Sequence, residues 1–280
     1  MTEISAASVK ALRDETNVGM MECKRALVEA KGDKTKALRI LRERGIAIAE
    51  KKSSRTVNQG VISAFIAEAG RAGSLIEVNC ETDFVAKNDG FRSFVAKLAE
   101  KAVTLDGNIA EVVKEDITAK IAEIGENIVV RRNIRFVLQK PGMVAAYIHH
   151  GSTIGVLVEL NCVQNDTTAK PAFKDLAKDI CLQVAASKPR FLDRAAVPPE
   201  IVTVEKEIFA KQVTGKPPQI VVKIVEGKMG KFYEQACLLE QPFVKDQDKT
   251  IASLLAEKGK ELADEIKIVR FVRFQSGETL

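Results

Sequence analysis

Apolar residues recur at helical spacing in three short segments of the first 52 residues. Each segment is preceded by a residue that favours the start of a helix and followed by one that favours its end. These boundary residues are Ser5, Asn17, Gly19, Gly32, Asp33 and Gly45. The pattern predicts a three-helix module over residues 1–52, with the third helix ending at Gly45 and a polar linker at 53–59. Met20 and Met21 are adjacent, so at most one of them can face the core of this module.

An internal repeat dominates the middle of the chain. Residues 60–103 align without gaps on residues 142–185, and 9 of the 44 positions are identical, against about 3 expected by chance. In each copy, alternating apolar residues predict a hairpin of two strands, and a helical pattern follows. We therefore predict a duplicated α+β core, with its first half at 60–140 and its second half at 141–280.

Other segments have clear periodicity outside this alignment. Apolar residues over 112–124 predict a helix, and the runs 128–137 and 266–274 predict strands. Two helical patterns flank a turn at 215–218, which is rich in glycine and proline. They predict an antiparallel helical hairpin, inserted in the second half of the core at about 198–233.

The two copies differ most clearly just after their second predicted strand, where the first copy has Thr-Asp-Phe-Val at 82–85. We place this 82–85 segment in a loop, followed by a turn at 88–90 and a helix that begins near Phe91. An isolated Phe84 would most simply be a local core residue, since apolar side chains are usually buried. The second copy has Asp166 at the corresponding position, so the shared scaffold does not require an aromatic ring there. We therefore expect Phe84 to be offered to a partner.

Composition narrows the possible classes of protein. The chain is 46% hydrophobic and 29% charged, and no apolar run approaches the roughly 20 residues of a membrane span. The N-terminus has no basic region followed by an apolar segment, so we expect a cytoplasmic protein without a secretory signal. The five cysteines are widely spaced without a C-x-x-C pair, and we expect them to be reduced and mostly buried.

Motifs for catalysis and cofactor binding are absent from the sequence. There is no glycine-rich phosphate loop, no H-E-x-x-H and no G-x-S-x-G, so we expect a protein that is not an enzyme and holds no cofactor or metal. A hydrolase with an unrecognised carboxylate pair is one rival hypothesis. The main alternative is a basic nucleic-acid-binding module, because the net charge is +5, although only two tyrosines and no tryptophan could stack on bases.

Several short motifs resemble the bacterial elongation factor Ts family, whose members are nucleotide-exchange factors for elongation factor Tu. The motifs are V-K-A-L-R-D-E-T at 9–16, G-M-M-E-C-K-R-A-L at 19–27, E-V-N-C-E-T-D-F-V-A-K at 77–87, I-G-E-N-I at 124–128, H-x-G-x-x-x-G-V-L at 149–157, V-A-A-S-K-P at 184–189 and Q-P-F-V at 241–244. They occur in the order typical of the family and span nearly the whole chain.

The resemblance implies an α+β fold of three parts: an N-terminal three-helix (UBA-like) bundle, a duplicated α+β core and an antiparallel coiled-coil hairpin. It implies a guanine-nucleotide exchange factor that binds elongation factor Tu in its GDP form. Such a factor promotes GDP release by disrupting the magnesium and phosphate site, and thereby supports translation elongation. No membrane association and no direct binding of nucleotide or nucleic acid is expected.

The resemblance also implies which residues contact the partner. In the family, the residues matching Asp83 and Phe84 insert between two helices of the GTPase domain, and the N-terminal module touches the same domain. A histidine in the second half of the core contacts another domain of the partner; His149 fits its motif best, and His150 remains open. The implied partner-binding residues are Thr82, Asp83, Phe84, Val85, Lys10, Arg13, Met20, Met21, Lys24, His149, His150 and Val244.

Overall fold

The computed structural model describes residues 4–213 and 216–279 and contains both helices and sheets, so the chain is an α+β protein. The helices are α1 (Ala6–Thr16), α2 (Met20–Glu29), α3 (Lys34–Lys52), α4 (Asp83–Lys87), α5 (Asp89–Ala102), α6 (Lys114–Ile124), α7 (Pro171–Ser187), α8 (Pro199–Lys211), α9 (Pro218–Ala236) and α10 (Ile251–Leu262). The strands are β1 (Gln59–Ala67), β2 (Ala72–Cys80), β3 (Ile128–Val137), β4 (Gly142–Ile148), β5 (Ile154–Asn161), β6 (Pro242–Phe243), β7 (Asp246–Thr250) and β8 (Lys267–Gln275). None of the described helices combines the length and apolar character needed to cross a membrane.

The chain forms two compact units. One comprises the described residues of Met1–Ser63, Ile76–Ile134 and Ser276–Leu280, and the other comprises those of Ala64–Leu75 and Arg135–Gln275. Strands β1, β2 and β3 each contribute residues to both units. The domain boundaries inferred from the sequence stay a prediction.

In the first unit, α1, α2 and α3 pack around one small apolar core. Ser5 caps α1 by accepting the N–H of Ser8 at 3.1 Å, and Asp33 caps α3 by accepting the N–H of Lys36 at 3.1 Å. The core consists of Val9, Leu12, Cys23, Ala26, Leu27, Ala30, Ala37 and Leu41. The three N-terminal helices expected from the periodicity are therefore confirmed.

The predicted end of the third helix at Gly45 is wrong, because α3 continues to Lys52. Gly45 lies where α3 packs on α6, and a Cβ added to it would be 3.4 Å from the Cβ of Ala122. The glycine therefore permits a close approach of two helices and does not end one. The chain after α3 is also held in place, since the side-chain amide of Asn127 donates to the carbonyl of Arg55 at 2.8 Å.

Both copies of the predicted repeat form two neighbouring strands followed by helices, which confirms the prediction. The first copy runs β1, β2, α4 and α5, and the second runs β4, β5, a 3₁₀ turn at Asn165–Ala169 and α7. Strands β4 and β5 are antiparallel, and Gly142 pairs with Asn161 at the start of the ladder. The 3₁₀ turn occupies the positions that correspond to α4 at the offset of the sequence repeat.

The duplication extends beyond the ungapped alignment. In each copy a later helix leads into a third strand that lies beside the second: α6 into β3, and α10 into β8. The resulting sheet orders are β1-β2-β3 and β4-β5-β8. In the second copy, α8, α9, β6 and β7 intervene before α10, so the constant sequence offset is lost. The ungapped repeat therefore does not reach α10, β6 or β7, and the sequence analysis did not predict these elements.

A buried glutamate on the second strand of each sheet pairs with arginine on the third. Glu77 is fully buried and accepts hydrogen bonds from Arg131 at 3.1 Å and Arg132 at 2.7 Å. Glu159, at the corresponding position, is 3% exposed and accepts from Arg270 at 2.7 Å. A buried carboxylate needs such partners, because an uncompensated charge in the interior is strongly destabilising.

Other helix boundaries also differ from prediction. The predicted turn at 88–90 is wrong, because Asn88 is the N-cap of α5 and accepts the N–H of Phe91 at 3.1 Å. Asparagine favours both turns and N-caps, so the sequence signal was genuine but ambiguous. The helical segments predicted at 198–233 are present as α8 and α9. The turn predicted between them includes Gly215, which lies outside the described residues.

The close packing of α3 on α6 can be tested with one substitution at two helical glycines. We expect Gly45→Leu to lower the free energy of unfolding by about 1–3 kcal/mol, because a larger side chain overpacks this contact. Gly227→Leu in α9 is the matched control, since a Cβ there meets nothing within 4 Å. It should stabilise the protein by about 0.7 kcal/mol through helix propensity. Urea denaturation measures both changes, and equal effects at the two sites would contradict the packing role of Gly45.

Candidate partner-binding surface

Phe84 projects into solvent from the first unit. Its side chain is 82% exposed, more than any other large hydrophobic residue in the part of the chain that the structure describes. The expectation that the ring is not a core residue is therefore met, although its role as a contact is not tested by this position alone. Single exposed apolar residues are common on protein surfaces, so the local structure around the ring matters.

The 82–85 segment is a capped helical turn and not the predicted loop. Thr82 is the N-cap of α4, and its Oγ1 accepts the N–H of Val85 at 3.4 Å. Asn88 ends α4 and at once caps α5, which leaves only five residues in α4. Ala86 is the buried residue of this turn, so the turn rests on Ala86 and presents Phe84 outward.

Glu126 attaches this turn to the chain between α6 and β3. Its Oε2 accepts the backbone N–H groups of Glu81 at 3.1 Å and Thr82 at 3.0 Å. Its Oε1 accepts the hydroxyl of Thr82 at 2.6 Å. Glu81 returns the contact by accepting the backbone N–H of Asn127 at 2.6 Å, and this hydrogen bond lowers the pKa of Glu81 below its ordinary value.

Two side chains near the ring of Phe84, those of Asp83 and Cys80, have shifted pKa values. Asp83 pairs with Lys87 at 2.6 Å, and this hydrogen bond lowers the pKa of the Asp83 carboxyl. The pair is exposed and of the i,i+4 type, so it contributes little to stability. Just before the turn, burial raises the pKa of the Cys80 thiol to about 12, and the charge of Glu126 adds to the shift. Cys80 is therefore a protonated structural thiol at neutral pH.

A second group of expected contact residues lies on the exposed faces of α1 and α2. Met20 and Met21 are 45% and 63% exposed, so neither enters the core. Lys10, Arg13 and Lys24 are exposed as well, and none of the three forms an ion pair within the described residues. These five side chains offer adaptable apolar contacts next to free positive charge.

The remaining expected residues lie in the second unit. His149 follows β4, and its Nδ1 lies 3.0 Å from the hydroxyl of Tyr147. Its backbone N–H donates to the carbonyl of Ile154 at 2.9 Å, which fixes the residue at the end of the β4–β5 pair. His150 is exposed at the next position.

Val244 belongs to the same unit and is 39% exposed. Its N–H donates to Oε1 of the buried Gln183 at 2.8 Å. Gln183 also donates to Gln241 Oε1 at 3.2 Å and to the carbonyl of Pro242 at 3.1 Å, so one buried amide organises the Q-P-F-V motif.

Sequence reasoning thus identified exposed residues but missed the groups that hold them. Glu126 and Gln183 were not singled out, because their partners are 44 and 61 residues away along the chain. The neighbourhood of Glu126 was marked by the end of the helix predicted over 112–124 and by the I-G-E-N-I motif at 124–128, which contains Glu126 but did not indicate its role. Within the described residues, no cluster of three or more His, Cys, Asp or Glu side chains could hold a metal ion.

These features define an internally duplicated α+β protein with an exposed aromatic residue on a firmly held surface turn. Residues 81–278 match the model of a family described as Elongation factor TS. The chain is 44% identical to elongation factor Ts from Clostridium botulinum (strain Eklund 17B / Type B), with 98% of this chain and 93% of that protein covered. The same identity and coverage hold for elongation factor Ts from Clostridium perfringens (strain 13 / Type A) and from a Nitratiruptor species. The chain belongs to the elongation factor Ts family.

The hydrogen bond between Glu81 and Asn127 predicts a pH dependence. Because the pKa of Glu81 is lowered on folding, its contribution to stability is present above about pH 4.3, the value of an unperturbed glutamate, and is lost as the pH falls through the lower folded value. Glu81→Gln keeps the acceptor oxygen but cannot titrate. We expect its free energy of unfolding to fall less steeply than that of the wild type between about pH 5 and pH 3. Urea denaturation across this range measures both slopes, and identical slopes would contradict the assignment.

Proposed function

We propose that this protein is a guanine-nucleotide exchange factor that binds elongation factor Tu in its GDP form and promotes GDP release during translation elongation. Membership of the elongation factor Ts family supports this function. The observation that links this function to particular residues is the exposed ring of Phe84, on the turn that Glu126 holds by hydrogen bonds. The protein acts in the cytoplasm, performs no covalent catalysis of its own and binds no membrane, nucleotide or nucleic acid directly.

Phe84 acts as an apolar wedge between two helices of the GTPase domain. Burying a phenylalanine side chain contributes about 1.5–3 kcal/mol, which offsets part of the cost of separating the partner's packed side chains. GDP is held in such a domain largely by its phosphates and by a magnesium ion that demands near-ideal octahedral geometry. A small displacement of the elements that bind them therefore weakens the site. Each ~1.4 kcal/mol of lost stabilisation speeds release about tenfold, if the transition state for release is unaffected.

Asp83 orients the turn against the partner, and Thr82 and Val85 flank the inserted residues. The exposed Asp83–Lys87 pair contributes little to the free protein, so Asp83 can exchange Lys87 for a partner group at low cost. The wedge is expelled when fresh nucleotide and magnesium rebuild the site, because two ligands that weaken each other's binding do so reciprocally.

The exposed faces of α1 and α2 dock on the same domain of the partner. Lys10, Arg13 and Lys24 supply positive charge that speeds association with an acidic surface. Met20 and Met21 adapt to the surface that they meet, as unbranched thioether side chains do. In the second unit, Val244 and a histidine after β4 contact the partner separately.

We extend the proposal to two finer features of the fold. Helices α1–α3 form a UBA-like bundle, consistent with their short lengths and shared core. Helices α8 and α9 form an antiparallel coiled-coil hairpin, consistent with the contacts between them, which include a hydrogen bond from Lys228 in α9 to Gln212 at the end of α8 at 2.6 Å.

Replacing Phe84 tests the wedge directly. We expect Phe84→Ala to fold normally, because the ring is exposed, and to slow the stimulated release of GDP by roughly 10-fold or more. The measurement is stopped-flow release of fluorescent GDP from elongation factor Tu of the same organism. Asp166→Ala is the matched control, since it truncates the corresponding position of the second copy. Unchanged release by Phe84→Ala, or equal slowing by both variants, would refute the wedge.

The two histidines can be separated by the same assay. His149 is oriented by Tyr147, whereas His150 has no side-chain hydrogen bond within the described residues. A fixed side chain loses less conformational freedom on binding, so we assign the contact to His149. His149→Ala should raise the concentration of factor needed for half-maximal release several-fold, and His150→Ala should change it little. The reverse order would assign the contact to His150.

A further inference from the structure

Both copies of the duplicated scaffold hold the turn after their second strand with a carboxylate. In the first copy the carboxylate is Glu126, which follows the αL cap Gly125 at the end of α6. In the second copy it is Asp264, which follows the αL cap Ala263 at the end of α10. Each acid therefore lies between the later helix of its copy and the third strand.

The hydrogen bonds of the two carboxylates match almost one for one. Glu126 accepts the N–H groups of Glu81 and Thr82, and Asp264 accepts those of Val163 and Gln164 at 2.9 and 3.0 Å. These two pairs of donors occupy corresponding positions of the repeat. Each carboxylate also accepts one threonine hydroxyl: Glu126 that of Thr82 at 2.6 Å, and Asp264 that of Thr167 at 2.7 Å.

The turns that they hold differ in what they present. In the first copy the turn carries Phe84, and in the second it carries Asp166. Each copy adds one further contact of its own. In the first, Glu81 accepts the N–H of Asn127 at 2.6 Å, and in the second, the side-chain amide of Gln164 donates to the carbonyl of Ala263 at 2.9 Å. The arrangement is therefore common to both copies, and the aromatic residue that the turn displays is particular to the first.

We propose that Glu126 is a positioning residue of the exchange surface, which holds the 82–85 segment so that Phe84 is already in its binding conformation before the partner arrives. This inference rests on the proposed function and names a residue that acts through others, since Glu126 itself is half-buried behind the turn. A loop that must order on binding lowers affinity in proportion to the fraction of molecules with the competent conformation. Charge-assisted hydrogen bonds to backbone N–H groups are among the stronger ones available to prevent this.

The test compares matched variants in the two copies. Glu126→Ala removes all three hydrogen bonds that the carboxylate accepts, whereas Glu126→Gln keeps a carbonyl acceptor. Asp264→Ala removes the corresponding hydrogen bonds in the second copy, where the turn displays no aromatic residue. The assay is release of fluorescent GDP from elongation factor Tu over a range of factor concentrations. It yields the half-saturating concentration and the limiting rate separately.

We expect Glu126→Ala to raise the half-saturating concentration roughly 10- to 100-fold with little change in the limiting rate, because the ring can still insert once the turn is ordered. Glu126→Gln should raise the half-saturating concentration less than Glu126→Ala does, and Asp264→Ala should leave it close to the wild-type value. Equal effects of Glu126→Ala and Asp264→Ala would show a general structural role and overturn the inference.

A second measurement covers the possibility that a variant folds poorly. Hydrogen exchange of the peptide containing Glu81 and Thr82 should accelerate in Glu126→Ala, while exchange in the core of α5 should stay slow. Unchanged exchange in this peptide would overturn the inference whatever the kinetics. A wild-type factor without any effect on GDP release would overturn the proposed function and this inference together. A wild type that depends on Phe84 but not on Glu126 would overturn the inference alone.

Discussion

The pairing of a buried glutamate with arginine on the neighbouring strand is the constraint on which both sheets depend. Glu77 and Glu159 are charged groups with almost no exposure to water, so each must keep its arginine partners. Those partners lie on the third strand of each sheet: Arg131 and Arg132 are adjacent on β3, and Arg270 stands directly opposite Glu159 between β5 and β8. A one-residue shift of β8 would point Arg270 to the opposite face, so its ion pair favours the observed register of that strand. Glu126 and Asp264 lie in the turns that lead into β3 and β8.

The duplication separates what the scaffold needs from what it displays. Both copies need the buried glutamate, the αL cap and a carboxylate that accepts backbone N–H groups, and both have them. Only one copy has an aromatic residue at the position of Phe84, and there the ring is exposed. Because the second copy forms the same architecture around Asp166, the ring contributes nothing that the fold requires. This difference within one chain gives Phe84 a functional interpretation that its exposure alone would not justify.

The predictable and unpredictable parts of the structure differ in the range of the interactions behind them. Strand β3 was predicted with the bounds that the structure shows, because a run rich in β-branched and aromatic residues within one segment specifies it. Gly45 was misread as a helix end, because its role depends on Ala122, which is distant in the sequence. The turn at 82–85 was read as a loop, since a helix of five residues has too little periodicity to detect. Exposure of Phe84 was inferred correctly from the repeat, whereas the hydrogen bonds of Glu126 left no pattern to read.

The packing of α3 on α6 through Gly45 has a consequence for how the proposed contacts work together. Helix α3 shares a core with α1 and α2, and its last residue, Lys52, donates to the carbonyl of Gly125 beside Glu126. The N-terminal helices and the turn with Phe84 are therefore joined through packed helices and hydrogen bonds, not through a flexible linker. Two contacts joined in this way act as a chelating pair. Once one has engaged the partner, the other is present at a high effective concentration and binds without a second search.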